Sequence, residues 1–128
     1  MNYLLDTHVL LWAINEPAKL SVSIKEKIQD TKNGCYVSIV SLWEIAIKIS
    51  IKKLSVEMEL IDLFEIIGKS QFEILNLNQS AILQVAQLPF HHNDPFDRVL
   101  ISQAQTNNLT LLTKDKAFAS YSVAVEWA

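Results

Sequence analysis

Apolar positions fall in short bursts separated by polar, helix-spaced stretches. Asn2–Asp6 is an apolar burst ending at an acid, the pattern of a short buried strand. Thr7–Asn15 then places Leu10, Leu11 and Ile14 at core spacing on one helix, which Pro17 ends. Ser21–Lys32 predicts a second helix, with Ser23 and Glu26 at capping-box spacing and Gly34 closing it. Cys35–Ser38 reads as a strand, and Ser41 to about Ile51 as a helix. Glu57–Lys69 sets Leu60, Leu63, Phe64 and Ile67 on one helical face. Phe72–Leu75 is a short strand, and Asn78–Leu88 a helix that stops at Pro89. A further helix begins at Asp94-Pro95, with Pro95 at the first helical position. Thr110–Thr113 and Val123–Glu126 complete the strands.

Short apolar strands alternating with helices predict a single α/β domain over residues 1–128, with a central, mostly parallel β-sheet flanked by α-helices. In such sheets, ligands bind outside the carboxyl ends of the strands. Asp6 ends the first strand, and Asp115 follows Leu111-Leu112-Thr113 after one residue. Glu44 and Asp97 sit in the first turns of the helices that begin near Ser41 and Asp94. Four acids from distant parts of the chain are thus expected on one rim.

Composition narrows the class. With 128 residues, half of them apolar, the chain can bury a core of its own, and disorder is excluded. One cysteine, Cys35, excludes a disulfide framework and a cysteine-based zinc site, and a reducing cytoplasm is the natural compartment. No signal peptide is expected, since no basic region precedes the apolar N-terminus and Asp6 and His8 interrupt it. No apolar run is long enough to span a membrane. Eleven basic against fourteen acidic residues give a net charge of −3, which argues mildly against nucleic acid on average charge alone.

Clustered carboxylates change that picture. Two unit charges about 4 Å apart repel by roughly 4 kcal/mol at an effective dielectric of 20. A hard cation such as Mg²⁺ or Mn²⁺ resolves the repulsion, and it characteristically shares its shell with phosphate. Metal-assisted phosphodiester hydrolysis is the chemistry that follows. Each acid also has an ordinary reading. An Asp after a strand caps helices, Ser41-Leu42-Trp43-Glu44 is a capping box, and Asp94 with Asp97 has N-cap and third-position spacing. Asp6 is hardest to dismiss, because it lies between two apolar stretches and a buried carboxylate needs a partner.

Four segments carry a family resemblance. They are Leu4-Leu5-Asp6-Thr7-His8, Ser41-Leu42-Trp43-Glu44-Ile45-Ala46-Ile47-Lys48, Asp94-Pro95-Phe96-Asp97-Arg98 with Ile101-Ser102-Gln103-Ala104, and Leu111-Leu112-Thr113-Lys114-Asp115. Together, in this order, they resemble the PIN domain, and within it the VapC-like ribonuclease toxins of bacterial toxin–antitoxin pairs. The resemblance implies Mg²⁺ or Mn²⁺ held by Asp6 and Asp97, with Glu44 and Asp115 completing the pocket. It implies an endoribonuclease acting on RNA, homodimeric and inhibited by a small cognate antitoxin. A catalytically inactive PIN fold serving as a protein- or RNA-binding module is the alternative. A receiver domain would need an acidic pair after the first strand and a mid-chain acceptor Asp, and Ile49–Leu54 has none. A dehalogenase-type phosphatase would need a second Asp at position 8, which is His.

Several neighbours have two readings. Lys48 and Lys52 share Glu44's side of its helix and could contact an RNA backbone, or Lys48 could simply pair with Glu44 on a solvated face. Arg98 and Lys114 flank the C-terminal acids, where they contact phosphate or offset the acidic charge. His8, His91 and His92 lack transition-metal spacing and are expected as solvated or core histidines. Trp12 and Trp43 are expected in the core, Trp12 alternatively at an interface, and Cys35 as apolar packing. Thr7 either caps the first helix or reaches a metal-bound water, and Thr113 has the same ambiguity.

Overall fold

The first strand, β1 (Asn2–Leu5), is the centre of the sheet in the computed structural model, which describes residues 1–128. It pairs in parallel with β2 (Gly34–Ser38) on one side and β4 (Thr110–Thr113) on the other. β3 (Glu73–Leu75) lies outside β2, and β5 (Val125–Trp127) outside β4. The order β3-β2-β1-β4-β5, all parallel, reverses direction between β1 and β4. That reversal opens a crevice at the strands' carboxyl ends. Leu5 pairs with both Val37 and Leu112, so Asp6 and Thr113 emerge side by side.

Side chains alternate across the sheet, so each face buries its own cluster. Tyr3, Leu5, Val37 and Leu112 face α1 (Thr7–Asn15), α2 (Val22–Gln29) and α4 (Leu60–Lys69), meeting Leu10, Ile24, Leu63 and Ile67. Leu4 and Leu111 face α6 (Pro95–Asn107), meeting Leu100, Ile101 and Phe118. The expected face of α4 is the buried one: Leu63 and Ile67 are in the core, with Leu60 and Phe64 packed on it. The remaining helices are α3 (Ile39–Ser50) and α5 (Gln79–Gln87). Ser102 is fully buried, and its hydroxyl donates to the Ala81 carbonyl, tying α6 to α5.

Some boundaries move, each for a local reason. Ser21, not Ser23, caps α2, its hydroxyl accepting from Ile24 N at 3.2 Å, and α2 ends at Gln29. Gly34 opens β2 and does not close the helix. α3 begins three residues earlier than its expected capping box, because Ser38 takes the N-cap role and accepts from Val40 N at 3.0 Å. Glu44 is therefore more than a turn inside the helix and is not a first-turn acid. The last strand is Val125–Trp127, and 3-10 turns at Pro17–Lys19 and Lys116–Ser120 had no clear apolar period to announce them. No helix is long and apolar enough to cross a membrane.

Candidate active site

Asp6 leaves β1 and immediately caps α1, its Oδ1 accepting from Val9 N at 2.8 Å. Its Oδ2 accepts from the Thr113 hydroxyl at the end of β4. Only 4% of Asp6 is exposed, and this burial pushes its carboxyl above the ordinary carboxylate range. The Thr113 and Val9 hydrogen bonds pull it partly back, and Glu44 adds repulsion. Asp6, and not Thr7, is thus the cap of α1.

Thr7 is spent elsewhere. Its hydroxyl donates to Glu44 Oε1 at 2.6 Å, while Lys48 Nζ, one turn along α3, closes on Glu44 Oε2. Glu44 is 3% exposed, so the Glu–Lys pair is no solvated ornament: it neutralises a buried carboxylate. Burial works against the Lys48 charge, but its bond to Glu44 and the neighbouring acids hold the ammonium above its ordinary range.

On α6, Asp94 and Asp97 divide as their spacing predicts. Asp94 is the N-cap, its Oδ1 accepting from Phe96 N at 2.8 Å and Asp97 N at 3.1 Å. Asp97, at the third helical position, turns toward the rim. Burial raises its carboxyl to about 7, with further repulsion from Asp94, Glu44 and Asp6, which His92 partly offsets. Asp115, the most exposed of the four, caps the 3-10 turn after β4 through Ala117 N at 2.9 Å.

His92 joins the last two acids. Its Nε2 lies 2.9 Å from Asp97 Oδ2 and 3.3 Å from Asp115 Oδ2. One ligand-type atom from each of the three residues falls within 4.8 Å of the others. His92 is therefore neither a solvated nor a core histidine; sequence reasoning missed it. The available signal was its position two residues ahead of a helix N-cap that itself precedes an acid.

Hydrogen bonding sorts the acid oxygens. Both oxygens of Asp6, of Glu44 and of Asp115 meet protein donors. Neither oxygen of Asp97 accepts a protein hydrogen bond; Oδ2 only stands 2.9 Å from His92 Nε2, and Oδ1 has no protein donor. A desolvated carboxyl with a free oxygen, ringed by three further acids, suits a hard divalent cation. The donor set is predominantly oxygen, which fits Mg²⁺ or Mn²⁺.

Two expectations about neighbours need correction. Arg98 contacts neither a phosphate path nor the acids. It is buried against Phe90 at 4.2 Å and donates to the carbonyls of Val85 and Pro89, at 3.2 and 3.1 Å, and to the Tyr121 hydroxyl. Those carbonyls close the C-terminal end of α5, where a cation is favourably placed. Trp43 is 60% exposed, edge-on to Phe96 at 5.2 Å, and so is not core. Lys114 lies 5.1 Å over the half-buried Trp12 ring at the rim. Cys35 packs as an apolar residue in the core, as expected.

The fold has solved counterparts. VapBC2 from Rickettsia felis, bound to a DNA fragment from its promoter, is similar with a TM-score of 0.76 at 20% identity; the match covers 99% of this chain and 98% of that one. DNA-bound VapBC from Salmonella typhimurium is similar at 0.73 and 17%, with the same coverage. VapBC-5 from Mycobacterium tuberculosis is similar at 0.62 and 18%, covering 98% and 96%. No curated protein sequence matches the chain. The family model described as the PIN domain matches residues 3–124, from the middle of β1 to the edge of β5, and the chain belongs to the PIN domain family.

Proposed function

We propose that this PIN domain is a VapC-like toxin: an endoribonuclease dependent on Mg²⁺ or Mn²⁺, inhibited by a small cognate antitoxin. The observation that carries the reading is the Asp97 carboxyl, raised to about 7 by burial and by three neighbouring acids while Oδ1 meets no protein donor. An uncompensated acid cluster is costly, and a cation is its economical partner. Solved toxin–antitoxin complexes of the same fold support the antitoxin partner. A homodimer and a cytoplasmic setting belong to the same proposal. So does RNA as the substrate.

Asp97 and Asp6 are the proposed metal ligands. Glu44 and Asp115 complete the charge of the pocket. When bound, the cation supplies an activated water and neutralises charge on the phosphoryl group. The chain's own residues prepare that site. Thr113 and Val9 N orient Asp6, Thr7 and Lys48 orient Glu44, and the start of α6 aims Asp97 at the rim. Lys48 is a cation paired with Glu44 among the acids, so the local field differs from the net charge of −3.

The test is cleavage of purified single-stranded RNA with Mg²⁺, with Mn²⁺ and with EDTA, beside Asp6→Asn and Asp97→Asn. Metal-dependent endonucleolytic cuts by the wild type, absent from both variants, are the expected result. Metal binding without any cleavage would favour the inactive binding module instead.

A further inference from the structure

His92 stands in none of the roles so far given to the acids, yet its backbone and both ring nitrogens are engaged at the rim. Its backbone N–H donates to the Tyr121 hydroxyl at 2.8 Å, and that of His91 to the same oxygen at 3.1 Å. Its ring meets Phe118 edge-on at 6.1 Å. The ring's second nitrogen is also engaged: Asp94 N–H donates to Nδ1 at 3.2 Å. A donor aimed at Nδ1 requires a lone pair there, because a proton would face the amide hydrogen directly. The network therefore assigns the ring proton to Nε2. Nε2 is the atom 2.9 Å from Asp97 Oδ2 and 3.3 Å from Asp115 Oδ2.

The geometry points to His92 as a positioning residue of the acidic site: its Nε2–H donates to Asp115 Oδ2 while the same nitrogen stands 2.9 Å from Asp97 Oδ2, which holds the two acids side by side at the rim. This deepens the metal-dependent reading above and rests on it. The chain of contacts has a direction. The N-cap residue of α6 fixes the ring tautomer, and the ring then holds the acid beyond β4 beside the one on that same helix. A nitrogen already carrying a proton is not a metal ligand, so His92 stands outside the metal's own shell. Residues that orient the acids of a metal site in this way commonly tune metal affinity by about 10- to 100-fold.

Two measurements on the whole chain test it. In the metal-free protein, ring ¹⁵N spectra of His92 should show a protonated Nε2 and a bare Nδ1, and adding Mg²⁺ should leave the Nε2 proton in place. Calorimetric titration with Mn²⁺ alone should then show affinity lowered by about 10- to 100-fold in His92→Phe. That variant keeps a ring against Phe118 but has no N–H. His92→Gln, whose amide N–H can occupy the Nε2 position, should recover most of the loss, which a purely structural role would not produce. Urea melts of both variants check that each is folded. A proton on Nδ1, loss of the Nε2 proton on adding Mg²⁺, or wild-type Mn²⁺ affinity in His92→Phe would overturn the assignment. A wild type that binds no Mn²⁺ would sink the metal-dependent reading instead, and the tautomer spectra would still decide the bridge.

Discussion

Replacing Asp97 by Asn should stabilise the metal-free protein, and should do so mainly above acidic pH. The carboxyl is raised from about 4 to about 7 by burial first and by Asp94, Glu44 and Asp6 next. A raised acid is protonated in the folded state at pH values where the unfolded chain has already released its proton. Between about 4 and 7 the native state therefore binds more protons, and stability falls as pH rises. At about 1.36 kcal/mol per unit, three units set a ceiling near 4 kcal/mol. The amide alters the contact with His92 at 2.9 Å, and neighbouring acids share the repulsion. We expect a net gain of about 1–2 kcal/mol at pH 8 and only about a quarter of it at pH 4.5. For a chain of 128 residues this corresponds to a rise in Tm of roughly 4–8 °C. Thermal melts of both proteins in EDTA across that range read it directly, because groups remote from Asp97 cancel in the difference. Millimolar Mg²⁺ should then stabilise the wild type and narrow the gap. A difference that is flat with pH, or a variant less stable at pH 8, would refute the electrostatic argument.

Other substitutions separate structural from chemical roles. Asp94→Ala should lose about 1 kcal/mol, the usual cost of an N-cap, yet keep measurable cleavage; urea midpoints and RNA cleavage rates check both halves. Thr113→Val leaves Asp6 Oδ2 without its donor, so stability at pH 8 should fall by about 1–3 kcal/mol, read by chemical denaturation. Arg98→Lys cannot reproduce the forked contacts to Val85, Pro89 and Tyr121 and should lower Tm with little change in Mn²⁺ affinity, measured by calorimetry.

The acidic rim was legible because strand ends and helix starts carry it. Asp6, Asp97 and Asp115 follow from where apolar bursts stop, and the α/β order from how those bursts alternate. Asp94 and Asp97 were separable because Pro95 pins the first helical position, which settles the cap. Glu44 reached the rim by a different route from the one its spacing suggested. Ser38 competes with Ser41 for the cap, and a hydroxyl that can serve either start looks the same in sequence. His92 and Arg98 were illegible for a shared reason. Their partners lie in other elements: Asp115 is 23 residues away from His92 in the chain, and Tyr121 is 23 away from Arg98. Side-chain contacts of that kind leave no local period. Trp43 misled because a large aromatic on an amphipathic helix usually faces the core, whereas here it covers Phe96 at the surface.

We propose that the Asp97 cluster binds a divalent cation in order to cut RNA. The most direct measurement is an end-labelled RNA cleavage assay, run on the wild type and on Asp97→Asn at matched concentrations, with EDTA and then with Mn²⁺ restored. Internal cuts by the wild type should vanish in EDTA and return with Mn²⁺, and the folded variant should make none in either condition. Equal cleavage by both proteins, or wild-type cleavage that EDTA leaves unchanged, would contradict it.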